Sequence, residues 1–273
     1  MTLVYACIAP HGSEIVDEIT PRATRLRFGE TRLGMQKIAE QMIQCHPDTV
    51  VVATPHNLRL WKHICVVTSE NSSGTLNKNH KQISLRVHCD VKFSRRLLTL
   101  ASRRGLPVVG ANYGSAEGAA SDMPMDWGTF IPLWFLRHKR NLQVSIVTPS
   151  REIRLNQNFL FGRLAADLME RDSSKRYVFI ASAGQAHAHK KSGPYGFNKA
   201  AALYDEAVLD AIRMNDLSLL LGLSRKFVEN AKPDSLWQIA MLAGILDKVK
   251  MRGKLLSYQV PTYYGMTCAE FEK

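Results

Sequence analysis

Residues 4–11 read VYACIAPH, an apolar run that stops on a proline and then a histidine. The pattern recurs at 49–56, TVVVATPH, and with a short loop before the histidine at 177–187, YVFIASAGQAH. Apolar runs of this length, bounded by breakers, read as strands buried on both sides, as in a sheet covered on both faces. The strand set is 3–9, 49–54, 64–68, 83–88, 107–111, 142–148 and 177–182. Helical patterns lie between them. TRLGMQKIAEQMIQ (31–44) places Leu33, Ile38 and Met42 near one face, and KFSRRLLTLASRRG (92–105) ends on a glycine of the type that closes helices. FLFGRLAADLMERD (159–172) and NKAAALYDEAVLDAIR (198–213) repeat the helical period. The alternation specifies an α/β fold with helices on both faces of a central sheet. The polar stretch SENSSGTLNKNHKQ (69–82) reads as a hairpin connection or surface loop. Ligands of such folds bind beyond the carboxyl ends of the strands, so His11, His56 and His187 are expected to converge there.

The chain has 273 residues, 45% apolar and 22% charged, enough to bury a substantial core. No Pro/Gly/Ser linker or internal repeat divides it, so one domain over 1–273 is expected. No apolar run approaches the roughly 20 residues of a membrane span, and no basic segment precedes the first strand. A cytoplasmic protein without membrane contact is the expectation. The five cysteines (Cys7, Cys45, Cys65, Cys89 and Cys268) form no C-x-x-C pair and read as reduced thiols. The net charge of +12 comes from scattered Lys and Arg, without a long run or interleaved aromatics. That pattern predicts no dedicated nucleic-acid site; the excess suits small anionic substrates or solubility.

Neutral imidazole is the commonest protein metal ligand. Two histidines and one carboxylate with open positions suit non-heme Fe(II) oxygen chemistry, whereas three histidines and water suit zinc hydrolysis.

IAPHGSEIV, VVVATPHNLRL, MDWGTFIPLWFL, IASAGQAHAHKKSGPYGF and AKPDSLWQIAMLAGIL, in this order from residue 3 to about 265, resemble the class III extradiol ring-cleavage dioxygenase superfamily, in its catalytic-chain branch. That group includes the catalytic subunit of protocatechuate 4,5-dioxygenase and the Memo-type proteins. The resemblance implies a mixed-sheet α/β fold and an Fe(II)-dependent dioxygenase that opens a catechol-type ring with O2. It assigns metal ligation to His11 and His56 and acid–base catalysis to His187. His189, two residues on, would point to the opposite, outward side of an extended loop. The third ligand, a Glu in ring-cleaving relatives and a Cys in the Memo branch, falls at Asp234 or Ser235, and only Asp234 completes a two-His-one-carboxylate set. Ser235 and Gln238 also read as a capping box there. Glu14 is the reserve ligand, or a support behind His11.

Two positions depart from the pattern. The family's Asp-His-Gly reads Asp126-Trp127-Gly128, and the Asp before the acid–base histidine is Gly184. Both bring a second reading forward, a Memo-like metal-binding protein without ring cleavage; a zinc hydrolase is the third. Zinc or copper are the alternative metals. Trp127, Tyr113 and Tyr195 are candidate walls of an aromatic pocket, and Arg151 a candidate clamp for a substrate carboxylate. The expected partners are a small aromatic substrate, O2, and either a second copy of the chain or a small second subunit.

Overall fold

A computed structural model describes residues 2–273. Eleven strands form one mixed sheet: β1 (Leu3–Ala9), β2 (Thr49–Ala53), β3 (Ile64–Val67), β4 (Asn71–Lys78), β5 (Lys81–Cys89), β6 (Val108–Ala111), β7 (Asp122–Pro124), β8 (Gln143–Thr148), β9 (Tyr177–Ser182), β10 (Arg252–Gln259) and β11 (Met266–Glu272). The helices are α1 (Arg22–Arg27), α2 (Gly29–Gln44), α3 (Val91–Arg103), α4 (Trp127–Trp134), α5 (Leu155–Glu170), α6 (Ala200–Arg213), α7 (Arg225–Ala231) and α8 (Leu236–Lys248).

The strand order is β10-β11-β1-β9-β2-β8-β5-β4-β7, with β3 bridging β8 and β6 off this path. At the centre β1, β9, β2 and β8 run parallel. Register pairs Ala9 with Ser182 and Ala53 with Ala181, so the carboxyl ends of β1, β9 and β2 finish level. Neighbouring strands lie about 4.8 Å apart, which leaves the loops after β1 and β2 separated only by the loop after β9. This is the physical reason that three histidines far apart in sequence can meet.

Alternation along these strands feeds two cores. Leu3, Ala6, Ile8, Val51, Phe179 and Ala181 pack with α3, α5, α6 and α8 on one face. Tyr5, Cys7, Val50, Val52, Val178 and Ile180 pack with α2 and α4 on the other. Helices cover both faces, as the sequence implies. Helix α8 lies against α5 at a glycine crossing: a Cβ on Gly162 or Gly244 would collide with backbone of the opposite helix. The crossing fixes the depth of α8, at whose amino end Asp234 sits.

Three details depart from the sequence reading. Leu33 is 64% exposed, because the buried face of α2 runs through Met35, Ile38, Ala39 and Met42 and leaves Leu33 on the far side. The polar stretch 69–82 is mostly strand, β4 paired antiparallel with β5. Asn79 and His80 both have positive φ, as a two-residue hairpin turn requires. The capping box at the start of α8 is not formed. The Ser235 hydroxyl donates to Gln185 Oε1, and Gln238 donates to the carbonyls of Ser182 and Asp234. The five cysteines are free thiols, four of them buried. No helix among the described residues is long and apolar enough to cross a membrane.

Candidate metal centre

His11 and His56 follow the ends of β1 and β2, and Asp234 precedes α8. Their donor atoms converge: His11 Nε2 lies 3.1 Å from His56 Nε2 and 3.4 Å from Asp234 Oδ2, and His56 Nε2 lies 3.3 Å from the same oxygen. Donors bound about 2.1 Å from one ion stand about 3.0 Å apart at right angles and about 3.4 Å apart at the tetrahedral angle. The three spacings therefore fit one divalent cation held by two imidazoles and a carboxylate.

Protons support the same reading. The Ser182 hydroxyl donates to the Gly128 carbonyl at 2.5 Å, which spends its only proton. At 2.9 Å from His11 Nδ1 it must therefore accept, so His11 is protonated on Nδ1 and turns an Nε2 lone pair toward the centre. Burial lowers the pKa of His56 and of His187, which keeps both rings neutral at pH 7. Burial works to raise the Asp234 carboxyl, but His11, His56 and His187 outweigh it and hold the group well below the usual carboxylate range. Without a cation, a proton on His56 Nε2 is shared toward His11 and Asp234. A metal would displace that proton, as ligand binding to imidazole generally does.

Asp234 is aimed by its other oxygen, which accepts the Gly184 N–H at 2.8 Å. A Cβ on Gly184 would stand 3.0 Å from Asp234 Oδ1 and 3.3 Å from His187 Cε1. The glycine that departs from the family pattern thus makes room for this carboxylate. Gly184→Ala is expected to weaken divalent-metal affinity by about tenfold, the scale of lost ligand orientation, measured by competition with a chelator. An unchanged affinity would show that the approach of backbone to carboxylate is not needed.

His187 lies on the loop after β9 with Nε2 3.9 Å from Asp234 Oδ2, beside the triad and outside its donor set. Its Nδ1 is buried without a hydrogen-bond partner, while its backbone N–H is tied to the carbonyls of Ala231 and Lys232. Tyr264 stacks on the ring at 5.2 Å, with Tyr195 at its edge, 5.8 Å away. Trp127 stacks on His56 at 4.2 Å with one side open to a cleft of about 1500 Å³. Tyr195 and Arg151 also line that cleft.

Three expectations are corrected. Tyr113 is 61% exposed and does not line the cleft. It follows β6, which belongs to the side branch with β3, away from the level ends of β1, β9 and β2. Glu14 lines the cleft but does not back His11; it accepts from Lys78 Nζ at 2.8 Å and from the Tyr264 hydroxyl at 3.3 Å. His189 does not point outward: its Nε2 meets the buried Asp205 Oδ2 at 2.9 Å. Asp205, 1% exposed, also takes the Ala186 N–H and the Tyr258 hydroxyl, so it pins the loop that carries His187. Its signal in the sequence is an acid on the apolar face of α6, beside Ala201, Tyr204 and Val208. Tyr263 and Tyr264 join the site unannounced; they sit in the turn between β10 and β11, flagged only by PTYYG (261–265).

A family model described as the catalytic LigB subunit of aromatic ring-opening dioxygenase matches residues 5–268. The chain belongs to this family. LigB members bind a metal, and the His11–His56–Asp234 cluster is a candidate place for one. Protein CA_C1420 of Clostridium acetobutylicum is 23% identical over 263 residues, 95% of this chain and 55% of that protein. The chain thus spans about half the length of the curated relative it matches. The crystal structure of the uncharacterized protein JW3007 from Escherichia coli K12 superposes with a TM-score of 0.61 at 16% identity, covering 98% of this chain and 99% of that one. That likeness is one of fold alone.

Proposed function

We propose that the chain is a single-domain, Fe(II)-dependent extradiol-type dioxygenase that opens a catechol-type ring with O2. The observation that carries this reading is the meeting of two imidazoles and one ionised carboxylate at 3.1–3.4 Å, with a third, non-ligating imidazole beside them. His11, His56 and Asp234 would hold the metal. When bound, Fe(II) supplies the one-electron chemistry that lets a closed-shell ring react with O2.

The chain's own residues do the rest. His187, held neutral by burial, takes a proton from a substrate hydroxyl at Nε2 and returns it later in the reaction. The ring lies against the indole of Trp127, a flat face suited to a flat ring. Tyr264 and Tyr195 wall His187 and limit the water that competes for its proton. Both atoms of O2 end in the ring-opened product, so no external reductant is required.

The test is oxygen uptake by iron-loaded protein over a panel of catechols, with ring-opened product followed by absorbance. Stoichiometric uptake and product formation support the reading; iron binding with neither rejects it. One observation favours a second reading, a metal-binding protein without ring cleavage. Trp127 covers the His56 flank where the family pattern has a histidine. That reading predicts a bound metal and no ring-opened product above the metal-free control.

A further inference from the structure

His187 differs from the metal-facing histidines in how it is held. His11 is aimed by the Ser182 hydroxyl at Nδ1, whereas the Nδ1 of His187 is buried without a hydrogen-bond partner. An imidazole that handles protons is ordinarily oriented by a bond to its second nitrogen. What packs against the His187 ring is a set of tyrosines: Tyr264 at 5.2 Å, Tyr195 at 5.8 Å and Tyr263 at 5.9 Å. Its direction is therefore inherited from the backbone of its own loop and from the turn that carries Tyr263 and Tyr264.

One side chain reaches both. Asp205 on α6 is buried, and its Oδ1 accepts the Ala186 N–H at 2.8 Å, one residue before His187. Its Oδ2 accepts from His189 Nε2 at 2.9 Å, two residues after His187, and from the Tyr258 hydroxyl at 2.8 Å. Tyr258 lies on β10, whose connection to β11 holds Tyr263 and Tyr264. Backbone bonds lace the same two segments together: the Gln185 N–H donates to Gly265, the Gly265 N–H to Ala186, and the His189 N–H to Tyr263. A Cβ on Gly265 would stand 2.1 Å from Asp205 Oδ2, so the turn comes this close to the carboxylate only as glycine. Three donors satisfy the buried carboxylate, and His189 is its one basic partner among the described residues. None of these bonds touches His11, His56 or Asp234. We propose, resting on the ring-cleaving reading, that Asp205 and His189 are a positioning pair for His187. They lock its loop and the tyrosine turn into one unit, which sets the imidazole against the substrate hydroxyl.

The experiment measures iron content, kcat and KM in iron-loaded wild type, Asp205→Asn, His189→Gln and His189→Leu. The substrate is the fastest catechol of the panel, with 4-methylcatechol as common reference. Asparagine keeps an oxygen for the Ala186 N–H but turns an NH2 toward two donors. Asp205→Asn is expected to lower kcat by about 30-fold, the scale of lost orientation, with iron content and KM unchanged. Glutamine can place an N–H where His189 Nε2 stands, so His189→Gln should stay near wild type while His189→Leu falls with Asp205→Asn. The deciding arm repeats Asp205→Asn in a His187→Gln background, where a residue that acts through His187 has nothing further to remove. A loss there as large as in wild type, an unchanged kcat in Asp205→Asn, or a His189→Gln protein as impaired as His189→Leu overturns the proposal. Hydrogen exchange read by mass spectrometry separates the pair from the reaction. Faster exchange in residues 184–189 and 260–265 of Asp205→Asn, with α8 unchanged, supports the pair even where wild type opens no diol and ring cleavage is rejected. Unchanged exchange overturns the pair and leaves ring cleavage by wild type standing. Should Asp205→Asn fail to fold, the two His189 variants carry the same comparison.

Discussion

Asp234→Asn is expected to lower divalent-metal affinity by at least about 100-fold while leaving the fold intact, beyond the loss typical of removing a group behind a ligand. The substitution keeps the shape that accepts the Gly184 N–H and removes the only formal negative charge among the three donors. With its single oxygen kept on the Gly184 N–H, the amide turns an NH2, a donor and not a ligand, toward the cation beside two neutral imidazoles. Because His11, His56 and His187 hold the carboxyl ionised throughout the neutral range, the loss should be seen at pH 7 without acidification. Metal content after equilibrium against a chelator, with circular dichroism as the folding control, measures it. Retention of metal by a well-folded Asp234→Asn protein would remove Asp234 from the ligand set.

His187→Gln is expected to do the opposite: metal content unchanged, and turnover down by about 100- to 10,000-fold, the usual range for loss of a general acid–base. The ring lies 3.9 Å from the Asp234 oxygen that the other two histidines approach at 3.3–3.4 Å, and its Nδ1 has no partner. Glutamine keeps polarity and approximate size but cannot carry a proton back and forth. Oxygen uptake and product absorbance, read against iron content, separate the two effects. A variant that loses metal and turnover together would make His187 a ligand instead.

These two substitutions rest on positions that differ in how plainly the sequence shows them. The histidines are legible because a strand buried on both faces is a nearly continuous apolar run, and its end is marked where Pro10 or Pro55 stops it. Asp234 is found only through the likeness of its surroundings to a known family; in isolation it reads as a residue at a helix start. The rest of the cleft is hidden for a topological reason. Strands β10 and β11 are added antiparallel at the β1 edge, and their turn swings Tyr263 and Tyr264 over His187. Partly polar edge strands such as RGKLLSYQ carry little apolar signal. Tyr113 shows the converse error: a residue just past a strand reaches the site only if that strand stands at the centre of the sheet, and β6 does not. Arg151 is visible as a cation at a strand end, but its support by Trp237 depends on the packing of α8.

On the proposed reading, His11, His56 and Asp234 hold one catalytic metal ion. The most direct test is elemental analysis of protein purified without oxygen, wild type beside His11→Ala. About one iron per chain is expected in the wild type and almost none in the variant, since removing one of three ligands dismantles the set. A wild-type protein that takes up no transition metal even when iron or zinc is supplied, or a His11→Ala protein that retains its full complement, would contradict it.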